Sequence, residues 1–296
     1  MRQLSLVVTC TDRKAVAPEA SLHARSLPVG TVEERSTIWK GRVADASATH
    51  PLDRLYCGDH WTQSRRLVAT AAKAGFDARL WVASAGLGLR PASEPAPAYA
   101  ATFSTRHADS VATSADGSAQ WWKYLQERQS RTTLQELGKS GPILMVLSEV
   151  YAKAMEAELR ALGAVASEAL LVGGVEEIPG IRRVASDAGL RLALGGTLTS
   201  LNVRMAASWL QHCEDSRLTS ETTSSAWHEW ASTVPRPEQL NRQPMTDAEV
   251  IAFIRQETEA QPGISRTRLL RILRDSGRAC EQSRFATLFK RTMGDQ

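Results

Sequence analysis

The chain has 296 residues, of which 43% are hydrophobic and 23% charged, with four cysteines and a formal net charge of +4. That length supports one large domain, or one domain with a smaller appendage, and the composition is that of an ordinary globular protein. The longest apolar runs, PILMVL and LRLALGG, fall far short of the ~20 residues that span a membrane, and Cys10, Cys57, Cys213 and Cys280 lack the close pairing of a zinc site or a disulfide framework.

The first element is the apolar run LSLVV at 4–8, which empties into Thr9, Cys10, Thr11, Asp12, Arg13 and Lys14. Arg2 and so short an apolar run do not make a secretory signal, so a strand of a cytoplasmic protein is expected. Residues 15–52 hold prolines and few apolar clusters. The phrase LYCGD then opens a helix, HWTQSRRLVATAAKAGF, ending at Gly75. A strand at 80–83 runs into Ser84, Ala85, Gly86, Leu87 and Gly88. Residues 91–118 are again irregular, and long irregular stretches in a compact domain tend to be functional or mobile. Both are expected to fold over the strand ends.

A strand at 143–147 follows, then the helix SEVYAKAMEAELRALG, with Ser148 as N-cap, Glu149 in its first turn and Gly163 past its end. Apolar runs at 169–172 and 190–194 predict two more strands, closed by a helix in TLTSLNVRMAASWLQHC. Strands alternating with helices predict an α/β fold, three-layer αβα, with a mainly parallel sheet. Its domain is placed at 1–215 and a linker with a local helix at WHEW over 216–245.

The remainder, 246–296, reads as three short helices, capped by Thr246 and Ser265 and broken at Pro262, Gly263 and Gly277. From Ile264 to Gly294 there are eight basic residues against two acids, a net charge of +6. This exceeds the excess of the whole chain. Arg266, Arg268, Arg271, Arg274, Arg278, Arg284 and Lys290 are the expected DNA contacts of a helix-turn-helix or winged-helix-like unit. A helical cap with solvated arginines would show the same pattern.

Open α/β sheets bind ligands beyond the carboxyl ends of their strands, which gives the residues after LSLVV a second meaning besides that of a loop. The glycines of SAGLGL fit neither a P-loop nor a dinucleotide fingerprint, and there is no G-x-S-x-G elbow. Cys57 and His60 have no second pair of metal ligands at suitable spacing, so neither a metal nor a cofactor is implied.

Cys10 and Lys14 after the first strand, Leu55-Tyr56 and Gly58 before a helix carrying Arg65 or Arg66, Ser84-Ala85 with Gly88-Leu89 and Pro91, and then Tyr99 form a pattern. It resembles bacterial domains related to the middle domain of archaeosine synthase, a group similar in fold to uracil-DNA glycosylases. The resemblance covers about the first hundred residues and, more loosely, the domain to 213. It implies chemistry or recognition at a nucleobase, as in an anti-phage DNA glycosylase that excises modified, for instance glucosylated, cytosines. The chain has no G-Q-D-P-Y and no H-P-S motif, so the usual residues for activating water and stabilising the leaving group do not carry over. Asp12 stands in an analogous place.

Breaking an N-glycosidic bond passes through a cationic sugar, which a carboxylate can stabilise while orienting water. Asp12 is the leading candidate. Glu149 is the second, although an acid in a first helical turn also complements the helix dipole. Arg13 and Lys14 would hold phosphates or the departing base. A flipped base needs stacking surfaces and polar groups for its edge. Tyr56, Trp61 and Tyr99 are the candidate surfaces, Cys10, Ser84, Ser148 and Asn202 the polar groups, and Gly86 allows close approach.

Three functions are compatible with these residues. The first is glycosylase action on double-stranded DNA with a flipped modified base. The second is a non-catalytic reader of such a base, and the third a deazaguanine base-exchange enzyme.

Overall fold

The computed structural model describes residues 1–47, 50–129, 132–236 and 242–294. The chain forms two compact units, Met1–Arg236 and Pro237–Gln296.

The first unit is α/β. Its strands are β1 (Arg2–Thr9), β2 (Phe76–Ser84), β3 (Gly88–Pro91), β4 (Ile143–Leu147), β5 (Ala169–Gly173) and β6 (Arg182–Val184). They form one sheet in the order β3-β2-β1-β4-β5-β6. Only β3 runs antiparallel to its neighbour; β1 pairs in parallel with β2 from Arg2↔Phe76 to Thr9↔Ala83 and with β4 from Ser5↔Ile143 to Val8↔Val146. Every residue of β4 and β5 is buried, as continuous apolar strands are when helices cover both faces.

The helices are α1 (Val32–Asp45), α2 (Asp59–Lys73), α3 (Ala115–Gln129), α4 (Leu134–Ser140), α5 (Glu149–Ala154), α6 (Glu156–Gly163), α7 (Leu201–Gln211) and α8 (Glu221–Thr233). In one group α2 packs on α7 and on β2, and in another α1 and α5 pack on α3. The arrangement is compatible with three αβα layers.

Four local expectations change. Within 15–52, α1 forms behind a capping box in which the Thr31 side chain and Glu34 satisfy each other's backbone N–H groups. It buries little apolar surface besides Trp39 and is tied down by polar bonds, Arg35 to Val111 O and Lys40 to Tyr124 O, so no apolar stripe announces it. The run at 190–194 contains the single helical turn Arg191–Leu194 and leaves Leu192 exposed. The last strand is β6, whose two arginines conceal it in the sequence. The expected helix after Ser148 is two helices, divided at Met155. The segment placed as a linker at 216–245 contains α8, whose Trp227 packs 5.4 Å from Trp209 of α7; the first unit therefore runs to Arg236.

The second unit holds α9 (Asp247–Ala260), α10 (Arg266–Asp275) and α11 (Gln282–Met293). Val250, Ile254, Leu269, Leu273 and Phe285 belong to its own buried core. Gln243–Pro244 pairs in parallel with Arg278–Ala279. Thr246, Ser265 and Glu281 cap the three helices. The Glu281 carboxyl is held at about 2 by hydrogen bonds from the Ser283 side chain and backbone and from the Arg284 backbone.

Candidate functional site

The strand order reverses about β1: the chain leaves it for β2 and β3 on one side and returns to β4, β5 and β6 on the other. Loops that part in this way open a crevice beyond the carboxyl ends of the strands. Here it is a cavity of about 440 Å³, lined by Thr9 to Arg13, by Cys57 to His60 and by Thr197 and Thr199.

Gly58 is the N-cap of α2, with φ of 95°, a left-handed conformation that suits glycine. No side chain among the described residues caps this helix, so its first-turn N–H groups are left to solvent or ligand at the crevice wall. His60 lies in that turn. Its Nε2 is 3.1 Å from Thr9 O, and because a carbonyl only accepts, Nε2 carries the proton. Burial lowers the pKa of the ring, against smaller raising effects from the Thr9 and Thr199 backbones. The imidazole is therefore neutral at pH 7 and its Nδ1 is an acceptor, buried and without a hydrogen-bond partner among the described residues. Asp59 serves the scaffold instead. It accepts from Arg204 at 2.9 and 3.2 Å, tying α2 to α7, and hydrogen bonding led by Ser200 keeps its carboxyl low.

Asp12 stands at the rim with its side chain 71% exposed, its Oδ2 3.9 Å from Nε2 of His107 in the 91–118 loop. Arg13 is exposed beside it. Cys10, half-buried, hydrogen-bonds the Tyr151 hydroxyl of α5 at 3.0 Å.

Behind the rim is a buried polar chain. Ser84 Oγ accepts from the N–H groups of Gly86 (3.1 Å) and Leu87 (3.0 Å) and also bonds the Tyr99 hydroxyl, which lies 2.6 Å from that of Tyr56. With both Ser84 lone pairs engaged, its O–H must donate to Tyr99, and Tyr99 to Tyr56. The Tyr56 proton ends the chain. Burial pushes the Tyr56, Tyr99 and Tyr151 hydroxyls well above their usual range, so all three stay protonated.

The structure thus brings Cys10, Lys14, Tyr56, Ser84, Gly86 and Tyr99 together, but in roles other than those expected of several of them. Tyr56 and Tyr99 are buried and cannot stack on a base entering from solvent; Trp61 is core, packed 5.0 Å from Tyr56 with Nε1 donating to Asp53 O. Lys14 turns inward, 4.4 Å from the Tyr99 ring centroid and near the carbonyls of Thr11 and Asp12, so it pins the turn instead of reaching out to a phosphate. Its burial lowers the pKa of the amine. Gly86 allows close approach of Tyr99, since a Cβ there would lie 2.4 Å from the ring.

At the end of β4, Ser148 has extended dihedrals but makes no side-chain cap. Glu149 is 63% exposed and paired with Lys153 at 3.2 Å; neither residue lines the crevice. Asn202 donates to Leu147 O at 3.2 Å and accepts from Ser186 Oγ. Those bonds fix the strand end and leave the side chain committed.

In the second unit Arg266, Arg268, Arg271, Arg278 and Lys290 are exposed. Arg274 reaches Cys280 O, and Arg284 pairs with Asp247, so these two are engaged within the unit.

His107, Tyr151 and the Thr197–Thr199 turn did not emerge from the sequence, and His60 was weighed there only as a metal ligand with Cys57. His60 had a signal, since it stands two residues after a glycine at the start of a helix. The other groups come from distant segments without a local pattern. Comparison with known proteins finds no family model that matches the chain, and no curated protein or solved structure that is similar to it.

Proposed function

We propose that the protein is a DNA glycosylase that hydrolyses the N-glycosidic bond of a modified base, such as glucosylated hydroxymethylcytosine in phage DNA. The observation that carries this reading is the position of Asp12: it lines the switch-point crevice together with an uncapped helix N-terminus. A flipped base would enter the crevice, Asp12 would stabilise the cationic sugar and orient water, and the first-turn amides of α2 would meet the negative charge developing on the departing base. The exposed arginines of α10, Arg266, Arg268 and Arg271, suit phosphate contacts, in the manner of a helix-turn-helix unit, and give salt-sensitive affinity. The sequence resemblance to glycosylase-like domains points the same way.

A reader of the same base is the second reading, favoured by the mostly exposed carboxylate of Asp12, which could contact a bound nucleotide without acting on it. The test is incubation with plain, hydroxymethylated and glucosylated phage DNA, followed by mass spectrometry for free base and alkali cleavage for abasic sites, with Asp12→Asn in parallel. Base release that the variant abolishes is expected. Tight binding without release from any substrate overturns the glycosylase in favour of the reader.

A further inference from the structure

A larger cavity, about 640 Å³, lies away from the crevice, against the outer edge of the sheet. Its walls are α2, through Arg65 and Val68, the stretch Ala78–Trp81 of β2, the Pro91–Ser93 turn and Asp53. Pairing between β2 and the chain of β3 extends only to Leu80, whose carbonyl accepts from Ala92 N–H, so the earlier part of β2 is open on this side.

Three features of this wall are unsatisfied among the described residues. Arg65 and Arg79 are exposed with no ion pair or hydrogen bond. Asp53 Oδ1 is a buried acceptor without a donor, and Trp81 Nε1 is a buried donor without an acceptor. Buried polar atoms are ordinarily paired, so each is open to a partner from outside the chain, a water or a ligand group. Val68, Ala78, Leu80 and Pro91 supply an apolar floor.

We propose that this cavity is a nucleotide site, separate from the crevice. Its two guanidiniums match a phosphate, the apolar floor takes the face of a base, and an acceptor and a donor on the wall suit a base edge that presents both. Guanine fits this pairing, with N1–H and N2–H₂ for Asp53 and O6 for Trp81. The volume is in the range of small-molecule sites. The same chemistry is offered by a free mononucleotide and by one nucleotide of a DNA strand. The site does not depend on the glycosylase reading.

The test is calorimetric titration of the full chain with dGMP, with a mixed-sequence single-stranded dodecamer and with inorganic phosphate. The variants are the double Arg65→Ala/Arg79→Ala, Asp53→Asn and, as a control in the crevice, Asp12→Asn. Both arginines are exposed, so the double variant should fold. We expect dGMP affinity to fall at least tenfold in the double variant and severalfold in Asp53→Asn, with Asp12→Asn unchanged. A silent dGMP arm with dodecamer affinity lowered tenfold by the double variant assigns the site to a strand. Failure of both probes, affinities unmoved by the double variant, or phosphate binding as tightly as dGMP overturns the proposal.

Discussion

The rim and the inner wall of the crevice are built from neighbouring residues yet obey opposite rules. At the rim, Asp12 and Arg13 are exposed and held by few contacts. Cys10 and Lys14, one or two residues along the chain, join Tyr56, Ser84 and Tyr99 in a wall of directed hydrogen bonds and ring contacts. Removing a group from the wall should unfold the site; removing one from the rim should leave it standing and stop it working. A residue pattern in the sequence can thus mark a site chiefly by marking what supports it.

The largest effect should come from Tyr99→Ala. The ring is completely buried and stacks edge-on against Trp39, so loss of about 3–5 kcal/mol is expected, read as a lower urea midpoint. Tyr99→Phe keeps the volume but strands Tyr56 and Ser84, for about 1–3 kcal/mol. If both variants are as stable as the parent, the polar wall does not support the crevice.

Asp12→Asn should do the reverse. On the proposed glycosylase reading, turnover is expected to fall about 100-fold or more, an increase of about 2.7 kcal/mol in the barrier, while stability stays within about 0.5 kcal/mol because the side chain is exposed. Single-turnover base release and urea denaturation on the same preparation measure both. An equal loss of stability would place Asp12 in the wall.

His60 joins the two regions through its bond to Thr9, and pH tests that junction. Its folded pKa lies below the ordinary histidine value of about 6.5 because burial disfavours the charged ring. The unfolded chain therefore takes up a proton near that value that the folded chain refuses. Stability is full above about pH 6.5 and falls as the pH drops from there towards the folded pKa. Carboxylates held low, such as Asp59, act at lower pH. Denaturation at pH 7.5 and 5.5 should show a decline that is smaller in His60→Gln. The same decline in both proteins would mean that this histidine is not the group responsible.

How much of this was legible in the sequence follows the same division. β1, β2, β4 and β5 and the capped helices of the second unit were readable because apolar runs and Thr246 or Ser265 caps are local signals. Asp12 and Arg13 were readable because they follow a strand. The residues of the wall were named by their pattern, but not their supporting role: Tyr151 meets Cys10 across 141 residues and Tyr99 meets Tyr56 across 43, and nothing in the spacing says which aromatic residues will turn inward. α1 and β6 were hidden because polar side chains form much of their tertiary contact.

Glu149 gives the smallest expected effect and the sharpest check on the choice of carboxylate. It follows β4 as Asp12 follows β1, on the adjacent strand, so sequence position alone ranks the two alike. Yet its side chain is largely in solvent, its partner is Lys153 one turn along the same helix, and it does not line the crevice. An exposed pair of that spacing contributes about 0.3–0.5 kcal/mol, with a modest further gain from an acid near a helix N-terminus. Glu149→Ala should therefore shift stability by no more than about 1 kcal/mol and leave base release unchanged. Were release to fall as it does in Asp12→Asn, the reacting centre would lie between β1 and β4 and would engage both carboxylates, and the division between a working rim and a supporting wall would have to be redrawn around α5.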